Sequence, residues 1–181
     1  LAKNGNLPTL NLKPFSFGKK EMYKMKNVDF GNWNTLNELE YSINYPTDWE
    51  LSQNGLLGTE FILFSPLESN QDKFRENVSL YIQNFSGQNL DLNKFVEISL
   101  EQCDALLTSF VLIENVRENI GSDEFHRVVC TYEQGKYQLK GEQYCWIKND
   151  QSYVLTLSCG EDTFLSYKEV GEEILKSFKL K

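Results

Sequence analysis

Alternating apolar and polar residues predict strands in the first half of the chain. Residues 39–45 alternate strictly, which is typical of a strand with one buried face. Residues 61–64 are apolar on both faces and end shortly before Pro66, which cannot continue a central strand. Four strands are predicted here, at residues 39–45, 49–51, 61–64 and 77–85.

The hydrophobic period then changes to that of a helix. Apolar side chains recur every three or four residues from Leu92 to Phe110, with charged residues on the opposite side. Asp91 precedes them as an N-cap that can accept hydrogen bonds from the first free amides. A second helix is predicted at residues 162–178. Gly171 lies on its apolar face, where glycine costs about 1 kcal/mol of helix propensity. A close approach of the helix to the sheet would compensate for this cost, so we expect one at Gly171.

Four more strands are predicted between the two helices. The turns at residues 134–135 and 149–151 are so short that they can join only antiparallel neighbours. Residues 127–132 and 153–157 are apolar on both faces, which indicates a sheet covered on both sides. The four strands are placed near residues 111–119, 124–133, 137–148 and 152–159.

These elements predict an α+β domain at residues 37–181. Its order is ββββαββββα, an antiparallel β-sheet sandwiched between helices in an α-β-α arrangement. Residues 1–36 contain several Gly and Pro residues and keep no regular period, so they are predicted to be a leader or linker, partly ordered at best.

The charge balance narrows the classes of partner. The chain has 18 basic and 26 acidic residues, a net charge of -8. This argues against nucleic acid and anionic membrane surfaces, both of which attract basic proteins. No stretch approaches the ~20 apolar residues of a membrane-spanning helix. A basic cluster at Lys19, Lys20, Lys24 and Lys26 is interpreted as solvated, with tethering to an acidic surface as the alternative.

The first residue, Leu1, is not a methionine, so we expect that an upstream segment was removed. A signal peptide is the commonest such segment, and a truncation would look the same. The expected location is therefore extracytoplasmic, either periplasmic or membrane-tethered, with the cytoplasm as runner-up.

Strand pairing predicts that the four cysteines are free thiols. Cys130 and Cys159 are both placed beside Lys140, from opposite sides, about 9–10 Å apart. A disulfide needs Cα atoms closer than about 7 Å. Cys145 is placed opposite Leu155, and Cys103 lies on the buried side of the first helix.

No residue pattern indicates catalysis. His126 shares a strand face with Glu124, but two ligands do not complete a metal site, so a structural role is preferred. Asp150, Glu161 and Asp162 could bind a cation, although the last two are explained by a helix start. We assign no catalytic, cofactor-binding or metal-binding residue, expect no cofactor, and predict that the protein is not an enzyme.

Two pairs of aromatic residues are candidates for a docking patch. Tyr81 and Phe85 share one strand face, as do Tyr144 and Trp146. The preferred interpretation is that the helices cover both pairs. If they do not, the exposed rings form a contact surface, since aromatic residues are enriched in interfaces.

Four local motifs follow one another along the chain. They are Tyr-Pro-Thr-Asp-Trp-Glu at 45–50, residues 74–78, residues 153–157 with Phe164, and residues 174–178. In this order they resemble the PsbP-like superfamily, which includes the bacterial DcrB-like branch. The resemblance spans residues 39–180 and implies an antiparallel sheet between helices and a non-enzymatic role. Photosynthetic members help to retain ions, a eukaryotic relative binds the Ran GTPase, and many bacterial members are exported lipoproteins.

The sequence therefore predicts a non-enzymatic binding or accessory protein, exported or lipid-anchored, with an unknown protein partner. A small-molecule or ion carrier is the first alternative and requires a pocket of about 300 Å³ or more. A carboxylate-based hydrolase is the second and requires two acids in one cleft. The expected state is a monomer or a weak homodimer.

Overall fold

Ten strands and two α-helices form the part of the chain that the computed structural model describes, residues 32–70, 72 and 74–181. A short 3₁₀ turn, Leu56–Gly58, lies between the third and fourth strands. The helices are α1 (Leu92–Leu106) and α2 (Phe164–Ser177). The strands are β1 (Trp33–Asn37), β2 (Tyr41–Pro46), β3 (Glu50–Ser52), β4 (Phe61–Phe64), β5 (Asn77–Asn84), β6 (Thr108–Ile120), β7 (Asp123–Gln134), β8 (Tyr137–Lys148), β9 (Gln151–Gly160) and β10 (Lys179–Leu180).

The strands form two antiparallel sheets. The larger has seven strands in the order β3-β4-β5-β9-β8-β7-β6, and the smaller has three in the order β1-β2-β10. The predicted α+β class is confirmed. The predicted order ββββαββββα is wrong in detail, because β1 precedes the first expected strand, β10 follows α2, and β2 belongs to the second sheet.

The smaller sheet was missed because two of its strands carry weak signals. Strand β10 has two residues and β1 buries only Leu36, so neither shows a sustained alternation. Strand β1 also straddles the predicted start of the domain at residue 37. Residues 1–31 of the predicted leader lie outside the described residues, and so does its lysine cluster.

The main hydrophobic core lies between α2 and one face of the larger sheet. The helix packs on β9 and on β2 of the smaller sheet. Gly171 permits this contact, because a methyl group there would overlap the side chain of Leu157. The close approach predicted at Gly171 is thereby confirmed. Buried core residues of the larger sheet include Val78, Leu80, Phe125, Tyr144, Trp146, Leu155 and Leu157.

A smaller core lies under α1, on the opposite face of the same sheet. It contains Phe95 and Val96 of the helix with Val128 and Cys145 of the sheet. Asp91 caps the helix as predicted, its Oδ1 accepting from the Lys94 amide at 2.9 Å. Because successive residues of a strand face opposite sides, Val154 contributes here while Leu155 belongs to the main core.

Helix α1 is shorter than its hydrophobic period predicts. Leu107 adopts an extended conformation and ends the helix, and Phe110 lies in β6. Ser109, with a φ of 53°, takes part in the abrupt change of direction. Leu106 is consequently 81% exposed, although the pattern placed it on the buried side.

Candidate ligand groove

An open groove of about 600 Å³ separates α1 from the strands beside it. Its floor comes from β5, β8 and β9, and its wall comes from α1 and the preceding loop. The lining residues are Tyr81, Gln83, Phe85, Gln88, Leu90, Phe95, Ile98, Ser99, Gln102, Cys103, Leu106, Leu107, Gln143, Cys145, Val154 and Thr156.

The groove exists because α1 buries only part of its apolar side. Phe95 and Val96 are the buried residues of the helix, and both lie near its N-terminal end. There the Phe95 ring meets Phe85 edge-on, with ring centroids 5.7 Å apart. Further along, Ile98, Cys103 and Leu106 line the open space. The central strand β9 therefore keeps Val154 and Thr156 only half-buried.

The floor of the groove has an apolar row beside a polar row. Val154 lies opposite Tyr81 on one side and Cys145 on the other, which gives the apolar row. Two residues further along β9, Thr156 lies opposite Gln143 on the same face. In the described part of the chain, the side chains of Thr156 and Gln143 make no hydrogen bond. These two polar groups are therefore available to a ligand.

The two thiols in the groove are unreactive near neutral pH. Burial raises the pKa of Cys145 to about 12 and also raises the pKa of Cys103. Both groups therefore stay protonated near neutral pH, whereas a nucleophilic or metal-binding cysteine needs the thiolate. Cys103 and Cys145 therefore contribute small, polarisable sulfur atoms to the lining of the groove.

All four cysteines are free, as predicted. The pairing that led to this prediction was correct for Cys159, which lies opposite Lys140. It was one residue out for the other two strand cysteines, because Cys130 lies opposite Gly141 and Cys145 lies opposite Val154. The two-residue turn between Gln134 and Tyr137 sets the first of these registers.

His126 connects the start of α1 to the sheet. Its ring nitrogens lie 2.9 Å from Asn115 Oδ1 on β6 and 3.0 Å from Asn93 Oδ1 on α1. Glu124, the residue suggested as its partner, instead forms an ion pair with Arg117. Burial lowers the pKa of His126, and the neighbouring Arg117 lowers it further. These contacts join β6 and α1 and fit a structural histidine.

The suggested cation site does not assemble. Asp150 lies at the turn before β9, while Glu161 and Asp162 follow its far end. A ten-residue strand separates them by about 30 Å. The described residues contain no group of three or more His, Cys, Asp or Glu side chains arranged to hold a metal ion.

A second cavity, of about 590 Å³, is lined by acidic residues around the start of α2. Glu76 is the buried one, and its Oε1 accepts a hydrogen bond from Thr163 Oγ1 at 2.5 Å. Glu68 accepts a bond from the Tyr167 hydroxyl at 3.1 Å. These two carboxylates thus hold α2 against the loop before β5, which is a structural use of both.

The two aromatic pairs have different fates. Tyr144 and Trp146 are buried in the main core, where both contact Phe125. Tyr81, by contrast, is 43% exposed and stands at the rim of the groove. The interpretation that helices cover both pairs is correct for Tyr144 and Trp146 and wrong for Tyr81.

In the described residues, no helix combines the length and the apolar character needed to cross a membrane.

The sequence did not reveal the groove. The apolar period of α1 continues unbroken to Phe110, which indicates a fully packed helix. A usable signal was the uncharged polar residues facing α1 from three strands, Gln83, Gln143 and Thr156. A helix packed tightly on the sheet would leave such groups without water or partners.

Comparisons with known proteins identify the fold. No family model and no curated protein matches the sequence. Among solved structures, cyanobacterial PsbP (CyanoP) from Synechocystis sp. PCC 6803 superposes with a TM-score of 0.60 at 12% identity, over 86% of this chain and 96% of that one. LpqN, involved in cell envelope biogenesis of Mycobacterium tuberculosis, gives 0.58 at 10% identity, over 83% and 91%.

A third similar structure is PA94, a protein of unknown function from Pseudomonas aeruginosa. It gives a TM-score of 0.58 at 13% identity, over 81% of this chain and 96% of that one. At such identities the likeness concerns the fold alone. The described chain has a PsbP-like fold, as the sequence motifs indicated.

Proposed function

We propose that this protein is a non-enzymatic binding protein and that the groove beside α1 is its binding site. The observation that carries the proposal is the concave, mostly apolar space of about 600 Å³ between α1 and the larger sheet. Binding sites for small molecules have this size and lining. The buried carboxylate Glu76 is engaged in structural bonding, which supports a non-enzymatic role.

An uncharged aromatic dye, N-phenyl-1-naphthylamine, tests this proposal by its fluorescence on entering an apolar site. We expect saturable binding of one dye per chain. Gln102→Trp should greatly weaken this binding, because Gln102 lies on the groove side of α1 and a larger side chain there fills the space. Glu101→Trp is the matched control, since Glu101 is an exposed neighbour on the same helix outside the groove.

Absence of saturable binding in the unsubstituted protein would refute the groove as a binding site. Equal loss of dye binding in both tryptophan variants would also refute it. Circular dichroism of each variant establishes that α1 is retained, so that a loss of binding reports on the groove.

We further propose that the protein works outside the cytoplasm, exported or lipid-anchored, in the manner of the DcrB-like branch of PsbP-like proteins. The fold shared with LpqN, a protein of cell envelope biogenesis, supports this location. Fractionation of cells that express the gene from its native start provides the test. Recovery of the protein in the cytoplasmic fraction would contradict the proposal.

For the oligomeric state, we propose a monomer or a weak homodimer. Strand β6 is an edge of the larger sheet and exposes Val111, Ile113 and Val116. Two register irregularities interrupt its first half, and such bulges hinder edge-to-edge pairing. Sedimentation equilibrium that showed a tight oligomer at micromolar concentration would exclude this state.

A further inference from the structure

The described residues that line the groove carry no charge at neutral pH, in a chain whose residues are 24% charged. Within the described residues, the polar members of the lining are glutamines, Ser99 and Thr156, together with the hydroxyl of Tyr81. A charged ligand that entered this space would lose water without gaining an opposite charge, which is strongly unfavourable. The lining therefore selects against ions of either sign.

The walls of the groove suit a flat apolar body. Phe85 and Phe95 close the end near the start of α1, and Tyr81 forms the rim on β5. Val154 and Cys145 provide the apolar floor between them. Aromatic side chains bind rings through offset and edge-to-face contacts, so these positions favour a ligand with a ring.

The polar row gives the ligand a second requirement. The Gln143 amide and the Thr156 hydroxyl lie side by side on β8 and β9, and a bound molecule would cover both. A polar group that is buried without a partner costs about as much as a lost hydrogen bond. A tight ligand must therefore present a donor or an acceptor at this edge of the floor.

We propose that the groove binds an uncharged molecule that has a ring-containing apolar body and one hydrogen-bonding edge, such as a carbonyl, amide or hydroxyl group. The inference rests on the groove being the binding site and specifies what that site accepts. The apolar row beside Val154 holds the body, and Gln143 with Thr156 binds the polar edge.

A matched pair of dyes tests the charge requirement. 8-Anilinonaphthalene-1-sulfonate carries the same fused rings and phenylamino group as N-phenyl-1-naphthylamine, with an added sulfonate. We expect the sulfonate to weaken binding at the groove by at least about tenfold. If the two dyes bound the unsubstituted protein with equal affinity and Gln102→Trp weakened the binding of both, the inference would be overturned. The groove would still be a binding site.

The polar edge is tested with the uncharged ketone dye 6-propionyl-2-dimethylaminonaphthalene. Gln143→Leu and Thr156→Val should each weaken its binding by about 2–10-fold, the net effect of one hydrogen bond. Gln134→Leu, at an exposed position of β7 outside the groove, should leave the affinity unchanged. Unchanged affinity in both groove variants would overturn the second half of the inference.

Discussion

At the scale of single residues, Glu142 is a carboxylate that the fold buries without a full set of hydrogen-bond partners. It lies on β8 facing α2 and is 1% exposed, and its Oε1 accepts no hydrogen bond within the described residues. Arg127 comes within 3.7 Å of it but is already held by Glu118 at 2.8 Å. Burial raises the pKa of Glu142, Glu172 raises it further, and Arg127 opposes both.

The uncharged variant Glu142→Gln should be more stable than the natural chain at pH 7, by about 1 kcal/mol, because it removes a buried charge without a full set of partners. The folded-state pKa lies above the ordinary value of 4.5, so the natural protein regains stability as pH falls through the folded pKa. The advantage of the variant should accordingly shrink as the pH falls from the raised folded-state pKa to 4.5, and it should be absent below pH 4.5. Urea unfolding at pH 7 and pH 4 measures both effects.

Glu118→Gln is the matched control for this prediction. It removes the carboxylate that binds Arg127 Nε directly, so the stability at pH 7 should fall. A gain in stability from Glu118→Gln, or a loss from Glu142→Gln, would contradict the assignment of Glu118 as the stronger partner of Arg127.

At the scale of elements, the contact between α2 and β9 depends on the missing side chain at Gly171. Alanine would favour the helix by about 1 kcal/mol, yet its methyl group would overlap Leu157 in the fully buried core. We expect Gly171→Ala to lower the free energy of unfolding by about 1–3 kcal/mol. Glu169→Ala, on the exposed side of α2, should change it by less than about 0.5 kcal/mol.

A double-mutant cycle separates this overlap from a general defect of the helix. In a Leu157→Ala background the space for the methyl group exists, so Gly171→Ala should become neutral or stabilising. Urea unfolding followed by circular dichroism measures the four proteins of the cycle. Equal effects of Gly171→Ala in the two backgrounds would exclude Leu157 as the cause.

The elements also show which features the sequence could predict. Strands β4 and β8 were predicted with their observed bounds. The four residues of β4 are all apolar and Pro66 follows shortly after them, while tight turns flank β8 on both sides. The end of α1 was misplaced because the hydrophobic period persists through Phe110 while the backbone turns at Leu107. The groove results from that turn and from the distance between α1 and the sheet. Both are set by tertiary packing, which a periodic pattern does not encode.

At the scale of the whole molecule, buried thiol and phenol groups link the stability of the fold to alkaline pH. Burial raises the pKa of Cys130 to about 11, of Cys145 to about 12 and of Tyr41 to about 12. It also raises the pKa of Cys159 in the main core. Tyr41 and Cys159 belong to the main core and Cys145 to the smaller core, so titration of these groups affects both cores of the domain.

The protein should therefore lose stability steeply above pH 9. An unfolded thiol releases its proton near pH 9 while the folded one retains it, so each such thiol costs up to about 1.4 kcal/mol per pH unit between pH 9 and 11. Cys130, Cys145 and Cys159 together should give a slope of about 4 kcal/mol per pH unit in that window, measured by urea unfolding under reducing conditions.

The variant Cys145→Ala isolates one of these protons. It should be less stable at pH 8, because a buried side chain is shortened, yet its slope above pH 9 should be smaller by about 1.4 kcal/mol per pH unit. Between pH 7 and 8 the two proteins should show the same slope, which serves as the internal control. Identical slopes above pH 9 would mean that Cys145 releases its proton as readily in the folded chain as in the unfolded one. The cysteine would then be open to water, and the floor of the groove could not be the dry apolar surface on which ligand selection depends.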